Sequence, residues 1–451
     1  MMDFRNEKIG IIGAARSGLA SALALKRLGA KPFLSELKPA EKFAEAAAAL
    51  KANGIEHEFG GHTNRLFGSE LLIISPGVPA NSEVVKRALE RDLKIITELE
   101  LGFQLCRGKT LAITGSNGKT TTTSLIGEIF RHSNVKGVVA GNIGRPFVSV
   151  AGDIGEKDWA ILEVSTFQLE WIDTFKPKVA AVLNITPDHL DRHGTMENYI
   201  ELKLKVFANQ NGTDKSVINA DDRYLKKFTN VSETFRFSTS EKIEQGCFID
   251  RDIVYLRQHG DSVPIINIAE IGIKGPHNLS NACAAAACCA AAGIDNAAIA
   301  TGLKAFKGVE HRLEPVRLIG GVSFINDSKA TNVDAVYWAL RSVLYPVILI
   351  AGGRDKQGDF GSLRELVRSR VKDIVLIGEA APKIAAAFKD ITAIHDAGSM
   401  ADAIDQAYAL AKPGGTVLLS PGCASFDMFD NFEHRGKVFK EAVMQLKENR
   451  P

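Results

Sequence analysis

Short apolar runs, each followed by a glycine-containing turn and then by a helix-like stretch, recur along the chain. Over the first hundred residues this pattern predicts three buried strands and two helices. The strands are expected at 8–12, 32–35 and 71–75, and the helices at 19–28 and 39–53. Buried apolar runs that alternate with helices are typical of a doubly wound parallel sheet.

The same pattern begins again at residue 110 and a third time near residue 308. The second segment is predicted to contain strands at 111–114, 159–163 and 179–184, a β-rich portion over 217–273 and a helix over 278–292. The third is predicted to contain strands at 324–325, 347–351, 374–377, 393–395 and 417–420. We therefore predict an α/β protein with three domains, over residues 1–100, 101–308 and 309–451.

Composition excludes several classes of protein. The 451 residues carry 55 Lys and Arg against 53 Asp and Glu, a net charge of +2. Because no basic stripe is visible either, nucleic acid is not expected as a partner. The six cysteines form no CxxC pair and do not suggest a disulfide framework. Neither a signal peptide nor a run of about 18 apolar residues is present, so we expect a soluble cytoplasmic protein without a membrane span.

Residues 114–120, Thr-Gly-Ser-Asn-Gly-Lys-Thr, lie between a predicted strand and a predicted helix. Glycines let backbone N–H groups approach phosphate oxygens, Lys119 adds a full positive charge, and the Thr120 hydroxyl is a suitable ligand for Mg²⁺. Position 113 is isoleucine where the usual phosphate-loop pattern has glycine, so this is a shortened variant. The pattern favours nucleotide binding over a plain connecting turn.

Polar residues also follow two other predicted strands of the second segment. Glu163 ends one strand, and His189 lies in the polar stretch that follows another. Mg²⁺ prefers oxygen ligands, so Glu163 is a candidate, whereas a histidine is more often a structural residue. Lys203 and Lys205 have the spacing of a solvated helix face.

The last third of the chain contains further candidate sites. Asn278 and Asn281 lie three residues apart, and they either cap a helix or offer their amides to a purine. Polar clusters at 326–332, 352–356 and 420–427 each follow a predicted strand. Because the carboxyl ends of parallel strands meet at one edge of a sheet, the three clusters predict a shared cleft.

Several of these motifs occur together in a fixed order. They are TGSNGKTTT (114–122), GNIG (141–144), EVSTFQLE (163–170), NITPDHLDRH (184–193), GPHNLSN (275–281), EHR (310–312), NDSKATN (326–332) and GGRDK (352–356). With this set the chain resembles the Mur ligases of bacterial cell-wall synthesis over essentially its whole length. The tail over 420–439 is similar to that of the D-glutamate-adding members.

The resemblance implies a reaction. The expected activity is an ATP-dependent amide ligase that phosphorylates the carboxylate of UDP-N-acetylmuramoyl-L-alanine and lets the amine of D-glutamate attack the acyl phosphate. The products are an amide, ADP and phosphate, and the step belongs to peptidoglycan precursor synthesis. The implied domains are a UDP-binding Rossmann-like domain, a central P-loop ATPase-like domain and a Rossmann-like domain that binds the amino acid. We expect a monomer.

The resemblance also implies roles for residues of the nucleotide site. The implied catalytic groups are Lys119, Glu163, His189, Lys203 and Arg312. The implied ligands of two Mg²⁺ ions are Thr120, Glu163, His189 and a carbamylated Lys203, which overrides the solvated-face hypothesis for Lys203 but not for Lys205. ATP would contact Gly115, Ser116, Asn117, Gly118, Lys119, Thr120, Thr121, Asn278, Asn281, Arg312, Asp327 and Lys329.

The substrates are implied to bind at both ends of the chain. UDP would contact Ala15, Arg16, Ser17, Glu36, Ser75, Pro76 and Gly77, and the muramoyl-alanyl group would contact Asn142 and Ser165. D-Glutamate would contact Thr331, Lys356, Ser425 and Phe432. The sequence departs from the family at 36–38, where Glu-Leu-Lys replaces the usual tripeptide, and at Gly422, where alanine is expected.

Parts of the pattern are also compatible with two other functions. The N-terminal pattern also occurs in NAD(P)-dependent oxidoreductases, but Ala15 replaces the middle glycine of their motif and the separate GKT is unexplained there. A nucleotide-switched binding protein without catalysis would have no need for Lys119, Glu163, His189, Lys203 and Lys356 together.

Overall fold

The first sheet is a five-stranded parallel sheet in a computed structural model that describes residues 4–447. Its strands follow the order β3-β2-β1-β4-β5. This part contains β1 (Lys8–Ile12), α1 (Arg16–Arg27), β2 (Lys31–Glu36), α2 (Ala44–Ala52), β3 (Glu56–Phe59), β4 (Leu71–Ile74), α3 (Glu83–Leu89), β5 (Lys94–Thr97) and α4 (Glu98–Leu105). The sequence pattern missed β3 because its four residues are all polar or half-buried.

The second sheet has nine strands in the order β14-β13-β12-β11-β10-β9-β6-β8-β7. All pairings from β7 to β12 are parallel, and only β13 and β14 add antiparallel pairs. The elements are β6 (Lys109–Thr114), α5 (Lys119–Arg131), β7 (Gly137–Gly141), α6 (Val148–Ala151), β8 (Trp159–Glu163), α7 (Thr166–Leu169), β9 (Val179–Val182), α8 (Leu190–His193), α9 (Met196–Leu204), β10 (Lys215–Asn219), β11 (Glu233–Ser238), β12 (Gly246–Asp250), β13 (Ile253–Gln258), β14 (Asp261–Asn267), α10 (Pro276–Ala291) and α11 (Asn296–Ala305).

The third sheet has six strands in the order β15-β16-β20-β17-β18-β19, and only β15 is antiparallel to its neighbour. The elements are β15 (Glu314–Ile319), β16 (Val322–Asn326), α12 (Val333–Ser342), β17 (Val347–Gly352), α13 (Arg364–Arg370), β18 (Val371–Ile377), α14 (Ala381–Phe388), β19 (Ala393–Asp396), α15 (Met400–Leu410), β20 (Thr416–Leu419) and α16 (Phe432–Gln445). Three mostly parallel sheets confirm the predicted α/β class.

Residue contacts divide the chain into two compact units. The first contains the residues up to Ile185, Thr195–Ile271 and Ser280–Phe306, and the second contains Thr186–Gly194, Gly272–Leu279 and the residues from Lys307 onward. The first two sheets therefore share one unit. They also share a hydrophobic core. Ile11 and Leu99 contribute to it from the first sheet and its helices, and Phe147 and Leu162 contribute from the second. The three-domain division stays a prediction.

No helix among residues 4–447 combines the length and hydropathy that a membrane span requires.

A buried arginine that the sequence pattern did not single out connects three segments of the second unit. The Arg435 side chain is fully buried. Its guanidinium donates to the Ser328 hydroxyl at 3.0 Å, to the Ser328 carbonyl at 2.8 Å and twice to the Cys423 carbonyl at 3.1 Å. Burial lowers its pKa to about 10. Arg435 thus joins α16 to the segments that follow β16 and β20.

We expect Arg435→Ala to lower the free energy of unfolding by about 3 kcal/mol, because the carbonyls of Ser328 and Cys423 lose their donors inside the protein. Equilibrium urea unfolding measures this loss. Arg368→Ala is the control, since its ion pair with Glu365 is largely exposed and such pairs contribute less than about 1 kcal/mol. Equal losses in the two variants would contradict the role of Arg435.

Candidate active site

The loop between β6 and α5 is preorganised for phosphate. The ammonium of Lys119 donates to the carbonyls of Gly115 at 2.8 Å and Ser116 at 2.9 Å, which folds the lysine back over the loop. Gly118 has a φ of +82°, in the left-handed region that favours glycine. α5 begins directly after it, so its first N–H groups are oriented toward the loop.

Asn281 lies against this loop. A Cβ atom at Gly118 would come within 2.3 Å of the Asn281 side-chain oxygen, so any other residue there would have to displace the Asn281 amide. The same oxygen accepts a hydrogen bond from the Thr122 hydroxyl at 3.3 Å. The Asn278 amide donates to the Lys274 carbonyl at 2.9 Å, four residues earlier in the chain.

Glu163 faces the phosphate loop because β8 pairs in parallel with β6. One carboxylate oxygen of Glu163 accepts the Thr120 hydroxyl at 2.7 Å, and the other accepts the Asn142 amide at 2.8 Å. Glu163 is 1% exposed. A buried carboxylate and a hydroxyl within hydrogen-bond distance are the oxygen donors that Mg²⁺ prefers, so this part of the site fits a magnesium ion.

Lys203 is buried, and the interpretation of residues 203 and 205 as a solvated helix face is wrong for it. It is 2% exposed, and its ammonium lies 4.4 Å from the centre of the Tyr199 ring. The Tyr199 hydroxyl is 2.9 Å from the Ser116 hydroxyl, so α9 packs beneath the phosphate loop. Lys205 is half-buried, and its ammonium is 3.4 Å from the Glu170 carbonyl.

Two residues that sequence reasoning did not assign hold the site together. The Asn184 side chain accepts the Asn117 N–H at 2.8 Å and donates to the Asn117 carbonyl at 3.0 Å. Gln168 forms a capping box with Ser165, whose N–H and hydroxyl both donate to the Gln168 side-chain oxygen. Asn184 could have been found as the last residue of a predicted strand. Gln168 carries the spacing of a capping box, three residues after Ser165.

The N-terminal loop over residues 13–18 is equally compact, and it contains Ala15, Arg16 and Ser17. A Cβ atom at Gly18 would lie 1.9 Å from the Gly13 carbonyl oxygen, so α1 approaches the loop too closely for any side chain there. Ser75 donates to the same carbonyl at 3.5 Å, and Pro76 and Gly77 follow it. The structure therefore brings together the residues predicted to hold UDP.

Glu36 accepts a hydrogen bond from this loop. Its carboxylate accepts the Ala14 N–H at 2.8 Å and the Lys38 N–H at 2.9 Å. Both oxygens keep further lone pairs, so a ribose hydroxyl remains a possible additional donor.

The second compact unit contains a cavity of about 570 Å³. It is lined by three predicted site residues, His189, Thr331 and Lys356, and by polar neighbours that include Asp188, Asn332, Asp334 and Asp355. His189 has a φ of +53° and precedes α8. Within the same unit the Asn332 amide donates to the Asp188 carboxylate at 3.2 Å.

Ser425 and Phe432, predicted to hold D-glutamate with Thr331 and Lys356, are not among the residues that line this cavity. Ser425 is buried after β20. The ring of Phe432 lies 5.0 Å from the Lys329 ammonium. Two of the four residues predicted to hold D-glutamate thus line this cavity and two do not.

Asp327 lies at the end of β16 with its carboxyl group enclosed. One oxygen accepts the Leu313 N–H at 3.2 Å and the other accepts the Ser420 hydroxyl at 2.8 Å. Burial raises the pKa of Asp327 to about 6, although the positive charge of Arg312 lowers it. Arg312 also acts on His277, whose pKa is lowered to about 4 by burial and then by that charge.

Three family models match the chain. The Mur ligase middle domain matches residues 113–289, the Mur ligase glutamate ligase domain matches 311–423, and the MurD N-terminal domain matches 8–84. The chain also aligns from end to end with curated relatives that are more than 40% identical. The chain therefore belongs to the Mur ligase family.

Those relatives share one name, UDP-N-acetylmuramoylalanine--D-glutamate ligase. The protein of Acidobacterium capsulatum is 43% identical, over 98% of this chain and 97% of its own. The protein of a Thermoanaerobacter species is 42% identical, over 99% and 100% of the two chains. The protein of Koribacter versatilis is 41% identical, over 99% of each.

Solved structures with the same fold are more distant in sequence. A pseudomurein peptide ligase type C from Methanothermus fervidus is 19% identical with a TM-score of 0.62, and the match covers 98% of this chain and 100% of that one. A UDP-N-acetylmuramate-alanine ligase from Thermotoga maritima is 18% identical, with the same TM-score and coverage. At these identities the likeness concerns the fold alone.

The raised pKa of Asp327 predicts a pH dependence of stability. The folded protein holds this proton more tightly than the unfolded chain, so stability falls as the pH rises from about 4 through about 6. Asp327→Asn has the same size and does not ionise. We expect the unfolding free energy of the wild type, relative to this variant, to drop by about 2 kcal/mol between pH 4 and pH 7 in urea titrations. A constant difference would show that the carboxyl group is not destabilised when charged.

Proposed function

We propose that this chain is an ATP-dependent amide ligase that joins D-glutamate to UDP-N-acetylmuramoyl-L-alanine through an acyl phosphate, with release of ADP and phosphate. The end-to-end similarity to ligases of that name supports the substrates. The observation that carries the chemistry is the phosphate loop with Lys119 beside the buried Thr120–Glu163 pair.

A carboxylate is a poor electrophile at neutral pH, and its phosphorylation supplies phosphate as the leaving group. Lys119 and the N–H groups of residues 115–121 hold the β- and γ-phosphates, which places the γ-phosphorus for attack by a carboxylate oxygen. Asn142 and Ser165 contact the muramoyl-alanyl end of the substrate in this proposal. Their positions are set by Glu163 and Gln168, respectively.

Magnesium fits beside the phosphate loop. Thr120 and Glu163 would hold it there, and we assign His189 and a carbamylated Lys203 to a second ion. The ions would supply positive charge to the phosphate oxygens. A carbamate would replace the cation of Lys203 with anionic oxygens, which are the kind of ligand that Mg²⁺ prefers.

The amine of D-glutamate attacks the acyl phosphate, and the tetrahedral intermediate loses phosphate to give the amide. We assign Lys356, Thr331, Ser425 and Phe432 to D-glutamate, with the ammonium of Lys356 paired to a carboxylate. Asn278 and Asn281 are assigned to adenine, Asp327 to ribose, and Arg312 and Lys329 to phosphates. Ala15, Arg16, Ser17, Glu36, Ser75, Pro76 and Gly77 are assigned to UDP.

The same proposal includes three domains over 1–100, 101–308 and 309–451, a monomeric enzyme and a cytoplasmic location. Each follows from the sequence expectations above.

The test is a phosphate-release assay with a panel of amino acids. We expect ATP-dependent release only when UDP-N-acetylmuramoyl-L-alanine and D-glutamate are both present. L-Glutamate, D-aspartate and D-alanine should give less than a tenth of the rate. Equal rates with several of these amino acids would contradict the assigned acceptor, and release without any acceptor would contradict a ligase.

We expect Lys119→Ala to lower kcat by about 100-fold or more, because the variant loses the charge that stabilises the transferred phosphoryl group. The fold should be retained, as judged by circular dichroism and thermal unfolding. Lys412→Ala, at an exposed position, is the control and should keep full activity. Full activity in Lys119→Ala would rule out its phosphate role.

We expect Lys203→Ala to lose most of its activity and to regain part of it when acetate or another short carboxylic acid is added, because the acid replaces the carbamate oxygens. Lys205→Ala is the matched control, since it lies on the same short segment but is not buried. It should be active and insensitive to acetate. Activity in Lys203→Ala that equals the wild type without acid would exclude a carbamate.

A further inference from the structure

Two buried glutamates lie on α4, the helix that directly follows the edge strand β5. Glu100 accepts the N–H groups of Asp173, Thr174 and Phe175 at 2.8–3.0 Å, so it fixes a loop after α7. Glu98 is 1% exposed, and the groups that shift its pKa are uncharged hydrogen-bond donors. A buried carboxyl group without a cation is costly, so packing alone does not explain Glu98.

The carboxylate of Glu98 holds the start of α6. One oxygen accepts the Val148 N–H at 2.7 Å. Val148 is the first residue of α6 and follows the turn closed by the hydrogen bond from the Gly141 N–H to the Arg145 carbonyl. That turn contains Asn142, which donates to Glu163.

The approach of α4 to α6 is too close for any side chain one turn further on. A Cβ atom at Gly102 would lie 2.6 Å from the Phe147 ring and 3.0 Å from the Val148 nitrogen. Residues 98 and 102 are four apart and therefore face the same side of the helix. The contact between α4 and α6 thus combines the hydrogen bond to Glu98 with a close approach at Gly102.

The same end of α4 also holds α7. The Thr97 hydroxyl donates to the Gln168 carbonyl at 3.0 Å, and the Thr97 N–H donates to the Trp171 carbonyl at 3.2 Å. Gln168 in turn accepts both donors of Ser165.

Burial raises the pKa of Glu98 to about 7, although the hydrogen bonds from the Val148 N–H and the Gln168 side chain lower it.

We propose that Glu98 is a positioning residue that holds the Asn142 turn, through Val148, in the place where the muramoyl-alanyl substrate binds. This inference rests on the proposed function. Glu98 touches neither substrate nor nucleotide in it. Because β5 continues directly into α4, Glu98 also connects the edge of the first sheet to the turn that carries Asn142.

The test compares four variants. Glu98→Leu fills the space and cannot accept the Val148 N–H. Glu98→Gln keeps an acceptor oxygen. Glu100→Leu is the matched control, because it removes an equally buried glutamate of the same helix that is bonded to residues 173–175. Gly102→Ala pushes Phe147 and Val148 away from α4 without changing the carboxyl group.

Two readouts separate positioning from stability. We expect Glu98→Leu to raise KM for UDP-N-acetylmuramoyl-L-alanine and to lower kcat/KM about tenfold. It should lose less thermal stability than Glu100→Leu, because it leaves one N–H group without its acceptor whereas Glu100→Leu leaves three. Amide hydrogen exchange should become faster over 141–148. In Glu98→Gln, which keeps an acceptor oxygen, KM and the exchange rate over 141–148 should both stay close to the wild-type values. Glu100→Leu should lose thermal stability with an unchanged KM.

The proposal would be overturned if Glu98→Leu and Glu100→Leu changed KM to the same extent, or if they changed the exchange rate over 141–148 to the same extent. If Glu98→Leu does not fold, Gly102→Ala carries the same expectation, and unchanged exchange over 141–148 in that variant would overturn it as well. If the wild type itself lacks ligase activity, the proposed function fails. The exchange comparison, which needs no substrate, still decides the role of Glu98.

Discussion

The hydrogen bond between the Thr120 hydroxyl and the Glu163 carboxylate is the contact on which the candidate site depends. It exists because β6 and β8 are parallel neighbours, so that the residues after both strands meet at one edge of the sheet. The same carboxylate orients Asn142 from the turn after β7. A charged group at 1% exposure thus organises three segments at once.

Around this contact, polar side chains bond to the loops and fix their positions. The half-buried Asn184 bonds to the backbone of Asn117, and the buried side chains of Gln168 and Glu98 bond to Ser165 and to the Val148 N–H. Each such group costs free energy to bury unless its hydrogen bonds are made, so each accepts few arrangements of its neighbours. These hydrogen bonds explain how the protein itself fixes the loops around the candidate site in one arrangement before a phosphorylated ligand binds.

The sequence predicted the fold class and most strands of the three sheets because buried parallel strands are continuous apolar runs with turn residues after them. It missed β3, three of whose four residues are polar, and it also missed the short strands β5 and β7. It missed the break before α2 as well, where a 3₁₀ turn over Ala40–Phe43 replaces the expected continuous helix. Local motifs located Lys119, Thr120 and Glu163. The burial of Lys203 and the roles of Glu98 and Arg435 depend on long-range packing, which residue spacing does not encode.

The central claim is that an acyl phosphate forms on the substrate carboxylate. The most direct measurement uses UDP-N-acetylmuramoyl-L-alanine labelled with ¹⁸O in that carboxylate, with ATP and D-glutamate, and follows the released phosphate by ³¹P NMR. The account predicts that one ¹⁸O atom per turnover appears in the phosphate, because the carboxylate oxygen that attacks phosphorus leaves with it. Unlabelled phosphate formed together with the amide product would contradict it.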